Sequence, residues 1–219
     1  MNNLELCRIM QAGDVLSVRT HGVMPYLIRV HETIHNPGRC YTNHNVPIAV
    51  NDGGQKYAVQ VAPPHVILVP LPDYLQWMET RGHLWHCVRP AWIESEEHAP
   101  AILSAWRHEF SEYALGLDGK PYPKRDLFRL VIVDLTGGLI NIGNREPDYC
   151  TEGCVHGWIA ASRIHHVPDS VDEILFPGPY DIEQLMRDKD VLPICGNSPW
   201  LLRSILHQPT QRKKGPSHT

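Results

Sequence analysis

Apolar positions along this chain recur with two different periods, and the periods mark out its elements. Residues 15–19 read as a strand, opened by the turn residues Gly13-Asp14, with Asp14 holding that turn through its side chain. Leu27, Ile28, Val30 and Ile34 recur at helical spacing behind Pro25 and predict a short helix over 25–34. Three strands follow at 46–50, 57–61 and 66–69, the first two separated by the turn signal Asn51-Asp52-Gly53-Gly54. They predict an antiparallel meander. A short helix over 71–81 stops at Gly82, and 84–89 is another strand. The longest helical pattern, 94–115, carries Ile102, Leu103, Trp106 and Phe110 on one face; Pro100 marks a break or the true start. Residues 127–139 are apolar but fit strand and helix equally. Residues 168–179 are loop-rich, 182–188 form a short helix, and 200–206 are a last apolar element. Strands and helices mix without regular alternation, so the pattern predicts an α+β fold.

The chain has 219 residues, which suits one domain over 1–209 with a substantial core. An apolar fraction of 42% and a charged fraction of 20% match a globular composition. No run of about 18 apolar residues exists, so no membrane span is expected. The start, Met1-Asn2-Asn3-Leu4-Glu5-Leu6, lacks the basic and apolar regions of a secretory signal, so a cytoplasmic location is expected. Without the basic segment 210–219 and its Arg212, Lys213 and Lys214, the net charge falls from -4 to -7. The body is thus a poor match for nucleic acid, and the segment reads as a disordered, solvated tail. Cys7, Cys40, Cys87, Cys150, Cys154 and Cys195 have no disulfide-framework rhythm and read as mostly reduced.

One cysteine stands where a thiolate is easiest to make. Cys150, in Tyr149-Cys150-Thr151-Glu152, opens an apolar helical stretch containing Val155, Trp158, Ile159, Ala160 and Ala161. Free backbone N–H groups and the helix dipole favour an anion there. Such a thiol needs a base, and a third polar group to orient the base. With 14 histidines, position decides: His44 stands at the start of the first meander strand, and Gln60 interrupts the next one. Cys150, Cys154 and His156 invite a zinc reading, but nothing nearby completes four ligands, and no metal is expected. Cys154 reads as a core residue, with a resolving thiol for Cys150 as the alternative. The six tryptophans read as mostly core, with Trp92 and Tyr122 in loops able to flank a cleft. Gly53-Gly54 and Gly137-Gly138 lack the Lys-Ser/Thr of a phosphate loop, and no cofactor is expected.

The order of these motifs resembles the circularly permuted papain-like hydrolases, the YiiX-like branch of the NlpC-type superfamily, related to lecithin:retinol acyltransferase-like proteins. Gly13-Asp14-Val15-Leu16 resembles the family's opening strand. Asn43-His44-Asn45-Val46-Pro47-Ile48 resembles its Ser-His-Val-Gly-Ile-like base strand, and Val59-Gln60-Val61-Ala62 its Val-Ile-Glu-Ala-like third-residue strand. Val88-Arg89-Pro90 with the helix behind it, Gly119-Lys120-Pro121-Tyr122 and Tyr149-Cys150-Thr151-Glu152 follow in the family's order. The likeness covers about residues 12–190 and rests on shared order, since each motif is short. Asn43 replaces a small hydroxyl residue, Asn45-Val46 makes the base strand irregular, Pro47 points to an edge or a bulge, and Gln60 replaces the commoner acid.

The resemblance implies a permuted papain-like fold and a cysteine hydrolase with Cys150 as nucleophile, His44 as base and Gln60 as orienter. Its substrates would be a peptide or cell-wall stem peptide first, a lipid ester or other acyl donor second. A cell-wall substrate without a signal peptide would imply release at lysis or packaging in a phage particle. The rival expectation is a non-catalytic binding or assembly module on the same fold.

Overall fold

The computed structural model describes residues 3–35, 40–61, 64–94, 98–121, 150–166 and 179–207. The apolar segment 127–139, the loop-rich 168–178, Tyr122, Tyr149 and the tail 210–219 lie outside them. The strands are β1 (Val15–Arg19), β2 (His44–Val50), β3 (Lys56–Val61), β4 (Val66–Pro70), β5 (Leu84–Pro90) and β6 (Val191–Gly196). They form one sheet in the order β4-β3-β2-β1-β5-β6, and every neighbouring pair is antiparallel. The helices are α1 (Asn3–Ile9), α2 (Val23–His35), α3 (Leu71–Thr80), α4 (Pro100–Leu115), α5 (Cys150–His165), α6 (Pro179–Asp188) and α7 (Pro199–Leu206). The fold is mixed α+β.

Strand alternation divides the sheet into two buried faces. Leu16, Val18, Val46, Ile48 and Ala58 pack with Leu6 of α1, with Met10 just after it, and with Leu71, Leu75 and Met78 of α3. Val15, Ala49, Val59, Val61 and Val88 pack on the other face with Trp106 and Phe110 of α4 and Val155 and Trp158 of α5. Both large indoles are anchored as well as buried. Trp158 Nε1 donates to Gly13 O at 2.8 Å, and Trp106 Nε1 to Ser162 Oγ at 3.0 Å. Gly13 sits at φ +89°, and a Cβ there would lie 2.5 Å from Trp106, so backbone and neighbour both demand glycine.

Helices α4 and α5 meet over Gly157, where an added Cβ would lie 2.9 Å from Phe110 Cε2 and 3.0 Å from Tyr113 Cδ1. Gly157→Val should therefore overpack this contact and lower unfolding free energy by about 1–3 kcal/mol in urea denaturation. An unchanged midpoint would mean the helices separate freely.

Several expectations are refined. The long helix starts at Pro100, with Pro in the first turn, after a 3₁₀ turn at Ala91–Glu94. Pro47 is not on an edge strand, since β2 lies inside the sheet. Pairing of β2 with β3 runs only over Ile48–Val50, so the missing N–H falls where that ladder has ended. Of the tryptophans, Trp85, Trp106 and Trp158 are buried, whereas Trp77 and Trp200 are exposed. Among the described residues, no helix is long and apolar enough to cross a membrane.

Candidate active site

The start of α5 is held against β2 by a buried polar chain. Asn45 Nδ2 donates to Thr151 Oγ1 at 2.9 Å, and Ser17 Oγ donates to Asn45 Oδ1 at 2.7 Å. All three residues are buried, and each bond satisfies groups that would otherwise be stranded away from water. Thr151 follows Cys150, and Asn45 follows His44, so this chain brings the cysteine's helix start next to the histidine's strand.

His44 is the first residue of β2 and is half-buried. Its Nε2 lies 3.3 Å from Gln60 Oε1, so the two polar residues singled out in sequence do meet. With Gln60 oxygen as the partner, the ring carries a proton on Nε2. Alternation adds a constraint. Asn45, with Ser17 and Ala49, is on the α5 face, while His44 and Gln60 share the parity of Val46, Ile48 and Ala58. His44 can therefore approach the start of α5 only around the open end of β2.

The segment leading into His44 is pinned on two sides. Asn43 Oδ1 accepts from Thr20 N at 3.0 Å and Thr20 Oγ1 at 2.9 Å, and Asn43 Nδ2 donates to Thr20 O at 3.0 Å. Asn43 thus ties this loop to the end of β1. On the other side, Glu183 of α6 takes four bonds on Oε1: from Tyr41 N at 2.9 Å, Thr42 N at 2.6 Å, Thr42 Oγ1 at 2.7 Å and, more weakly, Cys40 Sγ at 3.8 Å. Burial pushes the Glu183 carboxyl up to about 7, against the pull of those donors. Ser17, Thr151 and Glu183 escape sequence reading because their partners are far away along the chain. A Glu on an amphipathic helix looks solvated until the helix is docked.

Cys154 is fully buried in the α4–α5 core. Asp14 bonds Gln11 N through Oδ2 at 2.7 Å, as expected of a turn holder, and also meets Arg89 at 2.7 Å. Among the described residues, the one convergent group of three possible metal ligands is Asp52, His108 and Glu112. All three are exposed, as solvated surface charges commonly are. No protein-family model matches the chain, and no curated protein matches it in sequence.

Proposed function

We propose that the protein is a cysteine hydrolase of the permuted papain-like type, resembling the YiiX-like branch of the NlpC-type superfamily, and that it cleaves an amide bond. The observation that carries this reading is the convergence at the end of β2. The Asn45–Thr151 bond holds the Cys150 helix start beside the strand that begins with His44, whose ring meets Gln60. In this reading the six-stranded sheet is the papain-like sheet, entered at a permuted point. Gln60 fixes the His44 ring, and His44 takes the Cys150 proton. The thiolate attacks the substrate carbonyl carbon, and the N–H of Cys150 at the helix N-terminus supports the oxyanion. His44 returns the proton to the leaving amine. Water then attacks the acyl-enzyme, giving up a proton through His44, and the acid leaves with the thiol restored. A peptide or cell-wall stem peptide is the first substrate class, and a lipid ester is the second.

One observation favours a second reading. Asn45, which cannot act as a base, occupies the β2 position facing α5. With His44 confined to the other face, the fold would serve as a binding or assembly module.

Thiol reactivity separates the two. Iodoacetamide labelling from about pH 5 to 9, read by peptide mass spectrometry, should modify Cys150 well below the ordinary thiol range near about 8.5. His44→Ala should slow labelling near pH 6 by roughly tenfold, the loss of one pKa unit of thiolate stabilisation. Labelling of Cys150 that follows an ordinary thiol titration, or that ignores His44→Ala, removes the hydrolase reading.

A further inference from the structure

A second site lies two strands away from β2, on the outer part of the same sheet face. His86 of β5 is 1% exposed, and among the described residues neither of its ring nitrogens has a hydrogen-bond partner. Neutral imidazole carries one donor and one acceptor, and leaving both unmet underground is costly. Its cross-strand neighbours do not meet the need. Ser17 on β1 gives its proton to Asn45, and Gly196 on β6 has no side chain. A Cβ at Gly196 would stand 3.0 Å from His86 Cβ and 2.7 Å from Trp85 O, so only glycine fits the close approach of β6 to β5 here.

A cleft of about 210 Å³ lies between β6 and the N-terminus of α7, reaching down to His86. Its walls include Pro193, Ile194, Pro199 and Leu202, which are apolar, together with the buried Ser198. Ser198, which caps α7 by accepting from Leu201 N at 3.1 Å, and Pro199 both line the cleft, so the positive end of the helix dipole lies beside it. Volume, lining and polarity together define the occupant: an apolar body of a few carbons, carrying one group that hydrogen-bonds an imidazole and suits a helix N-terminus.

We propose that this cleft binds a small monocarboxylic acid, with the carboxyl group on His86 and the hydrocarbon against Ile194 and Leu202. An alcohol or amide head would meet the imidazole but gain nothing from the helix end. The proposal is independent of the hydrolase reading, because no residue of it belongs to the Cys150–His44–Gln60 set.

The test is titration of the full chain with sodium butyrate, followed by calorimetry and by the histidine ring nitrogen resonances. Butyrate should bind saturably and move the His86 ring signals, and n-butanol and butyramide should bind at least tenfold more weakly. His86→Gln should abolish binding. Leu202→Trp, which fills the cleft from its partly exposed wall and leaves His86 in place, should abolish it too, and Cys150→Ala should leave it unchanged. The proposal fails if butyrate shows no saturable binding, if butanol binds as well, or if binding survives in Leu202→Trp.

Discussion

Asp14→Ala is expected to lower unfolding free energy by about 3–5 kcal/mol, because it strands a buried guanidinium. Asp14 is fully buried, and Arg89 reaches it through Nε to Oδ1 at 2.7 Å and through Nη2 to Oδ2 at 2.9 Å. The second carboxylate on Arg89, Glu94 at 2.9 Å, has a side chain 42% exposed and is solvent-screened. Burial pulls against the Arg89 charge, but its bonds to Asp14 and Glu94 outweigh this and hold it protonated. At Asp14 burial is the larger effect, and the carboxyl sits above its usual range in spite of Arg89. The pair is therefore a poor source of net stability when intact and a large liability when halved. Urea denaturation should give the loss above for Asp14→Ala and under about 1 kcal/mol for Glu94→Ala. Replacing both partners with apolar residues, Asp14→Leu with Arg89→Met, should recover most of the loss. Equal effects of Asp14→Ala and Glu94→Ala would show that water reaches Arg89 and that the core is not sealed there.

The consequence is positional as well as energetic. Arg89 Nη2 also donates to Ile9 O at 2.9 Å, so the network ties α1, the β1 turn and β5 together. Gly13, next to Asp14, accepts the Trp158 indole of α5. Loss of Asp14 would thus loosen the turn on which the Cys150 helix rests.

Periodicity made most of the elements legible. Strands β1 to β5 stand out as short, largely apolar runs, with β1, β2 and β5 buried on both faces, and turns such as Asn51-Asp52-Gly53-Gly54 punctuate them. β6 was not legible: Val-Leu-Pro-Ile-Cys-Gly carries a proline, and the strand survives because it is the sheet edge. α1, at seven residues, is too short to show a helical period and forms by packing on α3. At the candidate site, the meeting of His44 and Gln60 followed from adjacent strands. The role of Asn45 did not, because parity relative to α5 depends on which face the helix takes. Glu183 was invisible for the same reason, being 141 residues from Thr42 along the chain.

Glu183 is the other position where a large effect is expected, and the two simplest substitutions there should act in opposite directions. Glu183→Ala removes the acceptor for Tyr41 N, Thr42 N and Thr42 Oγ1 and should cost about 3 kcal/mol. Glu183→Gln keeps an oxygen for those donors. These bonds, and the one from Cys40 Sγ, all fall on Oε1, while Oε2 has no hydrogen-bond partner among the described residues, so a proton on Oε2 leaves the anchor intact. Arg187, 3.9 Å from Oε2, is too distant to hydrogen-bond it and lies over the Tyr180 ring at 4.9 Å. The carboxyl pKa is raised from 4.5 to about 7, so the folded chain retains a proton that the unfolded chain has already released between those values. This group's contribution is fully present below about pH 4.5 and is lost as the pH rises through about 7. The loss is on the order of 3 kcal/mol. Glutamine does not titrate, so the stability of Glu183→Gln relative to wild type should rise by a similar amount between about pH 5 and 8. Parallel urea titrations across that range measure it directly, and the difference cancels every other ionisable group. A constant difference would mean that Glu183 stays charged, sustained by its donors and Arg187. The loop that carries His44 would then hang on a buried anion rather than on a neutral acceptor, and removing Arg187 would unfold it.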